Sequence, residues 1–260
     1  MKHLNRFFTP NLPWTSKAMV MAVMGWIGAL CVFWFTRSAV VPRPHEIFAA
    51  FPKLMGRGVL EHLFTSLVLN AQALVLTTII SLAVSYLTVL PWMRPVAWAI
   101  TKLRFLGLTG LTFFFTLATS SGHMLKLAIL VFGMTVYFVT SMVDVVTSIP
   151  KEKFDYARTL RMSEWRVVWE VVIRGSRDQA IDMMRQNAAM GWMMLTMVEA
   201  LVRSEGGIGT LLLNENKHFK LDGVFALLLV VLVTGLFIDF GIAQLKKQVC
   251  PYASLKLERK

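Results

Sequence analysis

Few side chains in this 260-residue chain could do chemistry, and most of them lie in apolar surroundings. Asp182, Arg185, Gln186, Asn187 and Glu199 fall within one stretch, AIDMMRQNAAMGWMMLTMVEALV, residues 180–202. His123, Asp144 and Asp239 stand in or beside other apolar runs. Carboxylates and imidazole serve acid–base and metal chemistry, but only when they converge on one point. His123 and Glu199 belong near one end of their runs and Asp182 near the other, so no common centre forms. The chain has no H-E-x-x-H pair, no paired-carboxylate motif and no metal-ligand spacing. It also lacks a G-x-x-x-x-G-K-[ST] loop, so it has no phosphate cradle of its own. A membrane-embedded enzyme is therefore the weaker reading. Polar groups in an apolar helix instead mark a solute path or a packed polar contact. Arg185, Asn187, Met194 and Glu199 are the candidate path residues; Asp144 and Asp239 read as structural.

The elements that must position these residues are apolar helices. Hydrophobic residues make up 56% of the chain and charged ones 16%, against roughly one quarter charged in a soluble domain. The apolar residues gather into runs. Residues 18–36 hold no ionisable side chain except Cys31, and a helix of that length rises roughly 28 Å, close to a bilayer core. The run is too long for a cleaved signal sequence, and TRSAVVPRP after it is a poor cleavage context. Six spans are predicted, at 18–36, 65–90, 105–121, 125–147, 180–202 and 223–244. The expectation is an all-α membrane protein: a segment 1–17, a transmembrane domain 18–248 and a basic tail 249–260. Cys31 and Cys250 should lie at different depths, which argues against an intrachain disulfide.

The net charge of +12 points first to topology rather than to nucleic acid, because Lys and Arg accumulate on the cytoplasmic side. With both termini in the cytoplasm, inner segments hold 18 Lys and Arg and outer ones 8. Between spans, residues 40–63 open with prolines that end a helix. They then set Ile47, Phe48, Phe51, Leu54 and Met55 at helical spacing, which predicts an amphipathic helix in the interface. PWMRP (91–95) and TSSGH (119–123) read as turns. The longest polar insertions are 150–178 inside and 203–222 outside.

The inner insertion contains FDYARTLRMSEWRVVWEVVI, residues 154–173. It reads as two short helices. Pro150 suits a helix start, Phe154, Ala157 and Leu160 share a face, Arg161-Met162 makes the bend and Ser163 can cap the second helix. Trp165, Val168, Trp169 and Val172 then form an apolar stripe. Charges of both signs (Glu152, Asp155, Arg158, Glu164 and Arg166) favour a groove on a protein partner over anionic lipid.

This stretch resembles the EAA signature of membrane subunits in ATP-driven (ABC) importers, E-A-A-R-T-L-G-A-S-x-W followed by an apolar run. Asp155, Tyr156 and Ala157 stand at E-A-A, while Arg158, Thr159, Leu160, Ser163 and Trp165 match as they are. VVPRPHEIFAAF and VEALVRSEGGIGTLLLNENKHFKLDGVFALLLVVLVTGLFID resemble segments of permeases in the nitrate/sulfonate/taurine group. Arg161 replaces the pattern's glycine, Ile173-Arg174 stands in place of Leu-Pro, and the third span lacks the usual prolines.

The resemblance implies a type I ABC importer permease fold of about six transmembrane helices, with 150–178 as a cytoplasmic coupling loop. The implied coupling residues are Phe154, Asp155, Tyr156, Ala157, Arg158, Thr159, Leu160, Arg161, Ser163 and Trp165. The implied partners are two ATP-binding subunits carrying the ATP and Mg that this chain does not bind, a second permease copy, an extracytoplasmic solute-binding protein and the lipid bilayer, with no nucleic acid. The implied site is a bacterial inner membrane, and the cargo a small anionic or polar organic solute. An ATP-independent secondary transporter is the alternative, but it would leave the amphipathic loop unexplained and needs internal repeats that are not found.

Overall fold

The computed structural model describes residues 16–36 and 42–251, and every regular element among them is helical. Most of the expected segment 1–17, the stretch 37–41 and all but the first residues of the tail 249–260 lie outside the described residues. Helix α1 is Ser16–Thr36, α2 Pro44–Met55 and α3 Val59–Leu87. A 3-10 turn, Pro91–Met93, leads into α4, Arg94–Lys102; a second, Leu103–Phe105, precedes α5, Leu108–Ala118. Then come α6 (Gly122–Thr147), α7 (Lys151–Thr159) and α8 (Glu164–Val167), which runs on as a π-helix, Val168–Arg174. The chain continues through α9 (Arg177–Leu201), α10 (Ile208–Lys217) and α11 (Leu221–Val249).

Three described helices, α3, α6 and α11, are long and apolar enough to cross a membrane; the α4–α5 pair makes a fourth if its two arms count as one span. Helix α9 has the length but carries Asp182, Arg185 and Glu199. These helices close on each other through small residues. The buried face of α3 shows Ser66, Asn70, Ala73, Thr77, Ser81 and Ser85 at helical spacing, and α6 packs along it. Small side chains let two backbones approach where hydrophobicity alone gives no preference for protein over lipid. Helix α9 fits against α3, α6 and α11. Met134 covers Gly191 and Met194 covers Gly133, a reciprocal knob-and-hole contact between α6 and α9. Ala188 is buried as its size suggests, whereas Ala189 faces outward.

Each end of the bundle has its own apolar cluster. At one end Ile47 and Leu54 of α2, Ile208 of α10 and Leu227 of α11 pack together. At the other, Phe138, Met142 and Val146 of α6 meet Val172 and Ala180.

The structure departs from the sequence expectation in three places. The third span is not a continuous helix over 105–121. Leu106 and Gly107 are extended, and the chain bends by 113° between the helical arms on either side. Helix α5 alone spans 11 residues, a rise of roughly 16 Å, about half a bilayer core. Helix α2 is amphipathic as expected, but its inward face of Ile47, Ala50 and Leu54 packs on protein. The polar stretch 203–222 hides α10, whose Leu211 and Leu212 reach the apolar cluster.

Candidate functional site

The segment 151–174 forms a helical hairpin whose bend follows from hydrogen bonding. Pro150 is the N-cap of α7, where its missing N–H is no loss. At the other end Arg161 N–H donates to the Arg158 carbonyl (2.9 Å) and Met162 N–H to the Ala157 carbonyl (3.4 Å). These are the two bonds of a Schellman turn, which requires a left-handed residue between them. Arg161 supplies it, with φ 54°. The bend thus sits where the sequence placed it, in the conformation a glycine would adopt without strain. Arg158 ties the two arms, donating to Asp155 (3.4 Å) and to Glu164 (3.1 and 3.3 Å). Those bonds from Arg158 hold the Glu164 carboxyl below the ordinary carboxylate range.

Two expectations for the hairpin need correction. Ser163 occupies the N-cap position of α8, but its side chain makes no capping bond. Nor do Trp165, Val168, Trp169 and Val172 form one stripe, because the π-helix shifts the register. Val167 and Val172 turn inward while Trp165 and Trp169 are exposed. Ala157 is buried and Phe154 half-buried, and Tyr156 (69%), Leu160 (54%) and Trp165 (72%) stand out. Beside Tyr156, Leu160 and Met162 runs a shallow groove of 430 Å³. An Arg161→Gly variant should be more stable by about 1 kcal/mol, since glycine carries no left-handed penalty. Thermal unfolding in detergent measures this; a less stable variant would show that the arginine side chain itself holds the bend.

At the opposite end Glu199, fully buried, accepts a hydrogen bond from Ser66 Oγ (2.6 Å) and another from the Gly209 N–H (2.9 Å). Ser66 Oγ in turn accepts from the Ile208 N–H (2.9 Å). The carboxylate therefore sits at the N-terminus of α10, where free N–H groups and the helix dipole favour negative charge. His62 Nδ1 accepts from the Gly207 N–H (3.0 Å). Lys126, also buried, donates to the Gly206 carbonyl (2.7 Å), and Thr210 Oγ1 to the Glu199 carbonyl (2.9 Å). Gly207 has φ 115°, and a Cβ there would lie 2.3 Å from the Glu199 carboxyl carbon. The GGIG turn is thus fixed to α3, α6 and α9. Glu199→Gln should cost about 1–3 kcal/mol in thermal unfolding, because Ser66 and the Gly209 N–H donate to different carboxylate oxygens and one of these becomes an NH2 donor. Unchanged stability would remove Glu199 from this role.

The other candidate path residues have separate environments. Arg185 makes a two-pronged ion pair with Asp239 of α11, and Lys246 pairs with Asp182 at 2.5 Å. Together with the bond from Trp192 Nε1 to the Val231 carbonyl (2.9 Å), these contacts set the antiparallel register of α9 and α11. Met194 belongs to the packed core. Asn187 is buried, and its amide meets no hydrogen-bond partner among the described residues. Arg185 and Glu199 are 14 residues apart on one helix, roughly 21 Å along its axis, so the structure does not bring them together.

The sequence of the bundle matches a known family of transport proteins. The match covers residues 26–249, nearly the whole bundle. The chain belongs to the family of binding-protein-dependent transport system inner membrane components. It is also 24% identical over 165 residues to a protein of Methanocaldococcus jannaschii named as an ABC transporter permease. That alignment covers 64% of this chain and 57% of the relative.

For a member of this family, the residues that sequence reasoning missed are those of the clasp around Glu199. His62, Ser66, Lys126 and Thr210 are scattered over three elements, and only their convergence on one turn gives them a role. The signal present in the sequence was the GGIG turn itself, whose exposed backbone donors must find partners.

Proposed function

We propose that this chain is the membrane-spanning permease subunit of an ATP-driven importer, working with separate ATP-hydrolysing subunits. The observation that carries the reading is the hairpin 151–174. It projects Tyr156, Leu160 and Trp165 from the end of the bundle on a bend fixed by backbone hydrogen bonds. Exposed apolar anchors on a rigid, charge-tied mount are suited to a groove on another protein. The π-helix is joined to the bundle through Val172 and the α7 arm through Phe154, both packed with Phe138, Met142 and Val146, so a push on the anchors moves packed helices as bodies.

In this reading α1, α3, the bent α4–α5 arm, α6, α9 and α11 are six membrane crossings, with both termini in the cytoplasm of a bacterial cell. Two copies of the chain and two ATPase subunits form the transporter, and ATP with Mg binds only to the ATPase. The solute is small and anionic or polar organic, as for the nitrate/sulfonate/taurine group that the sequence resembles. Asn187 is the path residue with most to offer, because its buried amide has donor and acceptor capacity to spare.

Leu160→Asp and Trp165→Asp should each abolish co-purification of the ATPase subunit while leaving membrane insertion intact. Retained co-purification with hydrolysis still coupled to transport would refute the coupling role.

The outer end offers a contact for a solute-binding protein. Phe219 lies in the turn after α10, is 86% exposed and has φ 53°. The bonds from Phe219 N–H to the Asn216 carbonyl (3.1 Å) and from Lys220 N–H to the Glu215 carbonyl (3.1 Å) hold it there. Glu215 is itself ion-paired to Arg57. An exposed aromatic kept in a strained conformation by its surroundings suggests a use for it. Phe219→Ser should weaken stimulation of ATP hydrolysis by the loaded binding protein without lowering basal hydrolysis; equal stimulation would exclude the contact.

A further inference from the structure

The α4 arm presents two different faces. Ala97 is buried against α6, and Met93, Ile100 and Leu103 are half-buried. Arg94, Trp98 and Lys102 follow one another at i, i+4 and i+8, a single stripe along the helix. Lys102 Nζ lies 5.0 Å from the Trp98 ring centroid, and the Arg104 guanidinium 5.0 Å from that of Phe105. Away from this stripe Trp92 (67%), Val96 and Phe105 (75%) are exposed. The chain has no carboxylate between Glu61 and Asp144, so nothing on α3, α4 or α5 past the first turn of α3 neutralises these cations.

The cationic stripe opens onto a cleft of 1350 Å³ between α4 and the hairpin. Arg94, Lys102 and Arg104 line one wall, and Lys151 and Arg158 belong to the other. Three carboxylates also line it. Asp155 and Glu164 are both bonded to Arg158, which leaves Asp144 as the one carboxylate of the lining without an ion pair among the described residues. The surplus is positive, and the aromatic rings beside it match the residues that settle at headgroup level. An arm bent by 113° from α5, too polar on one stripe to enter hydrocarbon and too aromatic on the other to sit in water, fits the interface.

We infer that α4 and the cleft beside it bind an anionic phospholipid of the leaflet at this end of the bundle. The headgroup phosphate is held among Arg94, Lys102 and Arg104, and Trp92 and Phe105 rest in the acyl boundary. The bound lipid fills the space between α4 and the hairpin, so bilayer composition bears on the position of the hairpin. The inference needs the chain to span a membrane and does not depend on the solute or on the direction of transport.

The test uses the purified full chain delipidated in detergent and exchanged into nanodiscs of phosphatidylcholine containing one fifth phosphatidylglycerol. The phosphatidylglycerol retained per protein after mild re-extraction is counted by native mass spectrometry. Wild type should retain phosphatidylglycerol above its share of the bilayer. The preference should fall about fivefold for each cation removed in R94Q, K102Q and R104Q, the value of one basic side chain at an anionic surface. A K217Q/K220Q variant at the opposite end should keep the preference. Raising salt on wild type alone should erode the preference by screening, which reads the same interaction without any substitution. Retention of the two lipids by wild type in their bilayer proportions overturns the inference. So does a preference that the three substitutions and salt leave unchanged, and so does one abolished only by adding the ATPase partner's soluble domain, which would assign the cleft to a protein. Loss of ATPase co-purification with normal lipid retention would concern the hairpin reading alone.

Discussion

A carboxylate with no contact with solvent needs partners, and Glu199 finds them in the N-terminus of α10 and the hydroxyl of Ser66. Removal of a carboxyl group from water is costly enough that the surrounding chain must offer it hydrogen bonds. The arrangement reaches far. It fixes the GGIG turn, which sets where α10 begins, and α10 with α2 closes one end of the bundle over Ile208 and Leu227. The same turn recruits Lys126 from α6 and His62 from α3. Three helices are therefore registered against one another at one end by polar contacts, while small residues and methionines do so along their length.

The opposite end is organised by a different constraint. A helix that stops must satisfy its last carbonyls, and α7 does so through a left-handed residue at Arg161. Glycine is the residue that reaches that conformation without cost, so the arginine is stabilised in place by its neighbours. Arg158 is the neighbour best placed to do this, since it joins the arm before the bend to Glu164 after it. The strain and the ion pairs belong together: the hairpin keeps its shape because the two arms are tied on either side of the bend. The bend sets the direction of a segment whose Leu160 and Trp165 are exposed and whose base is buried at Val172.

Much of this was legible in the residues. The helices α1, α3, α6, α9 and α11 follow the apolar runs within a few positions, because apolar length is a direct signal of a membrane helix. The hairpin and its bend at Arg161 followed from capping rules and from the spacing of Phe154, Ala157 and Leu160. Three things were not legible. The break at Leu106-Gly107 lies in a run whose hydropathy never falls, and hydropathy does not report backbone direction. The π-helix at 168–174 shifts a 3.6-residue stripe by less than a turn, which periodicity over eight residues cannot resolve. The Glu199 clasp joins residues more than 130 positions apart, and three of its donors, the N–H groups of Gly207, Ile208 and Gly209, are backbone groups that every sequence has.

The two ends place opposite demands on polar side chains, and this bears on how the chain can move. At the Glu199 end the polar groups are buried and each bond is irreplaceable by water, so sliding α9 against α3 there would leave donors without acceptors. At the hairpin end Arg158 and Glu164 are largely exposed and can exchange a protein partner for solvent at small cost, whereas Arg185 with Asp239 joins α9 to α11 within the spans, where a lone charge is expensive. Parting the two arms of the hairpin is therefore cheap, while sliding α9 against α3 or α11 breaks contacts that water cannot replace.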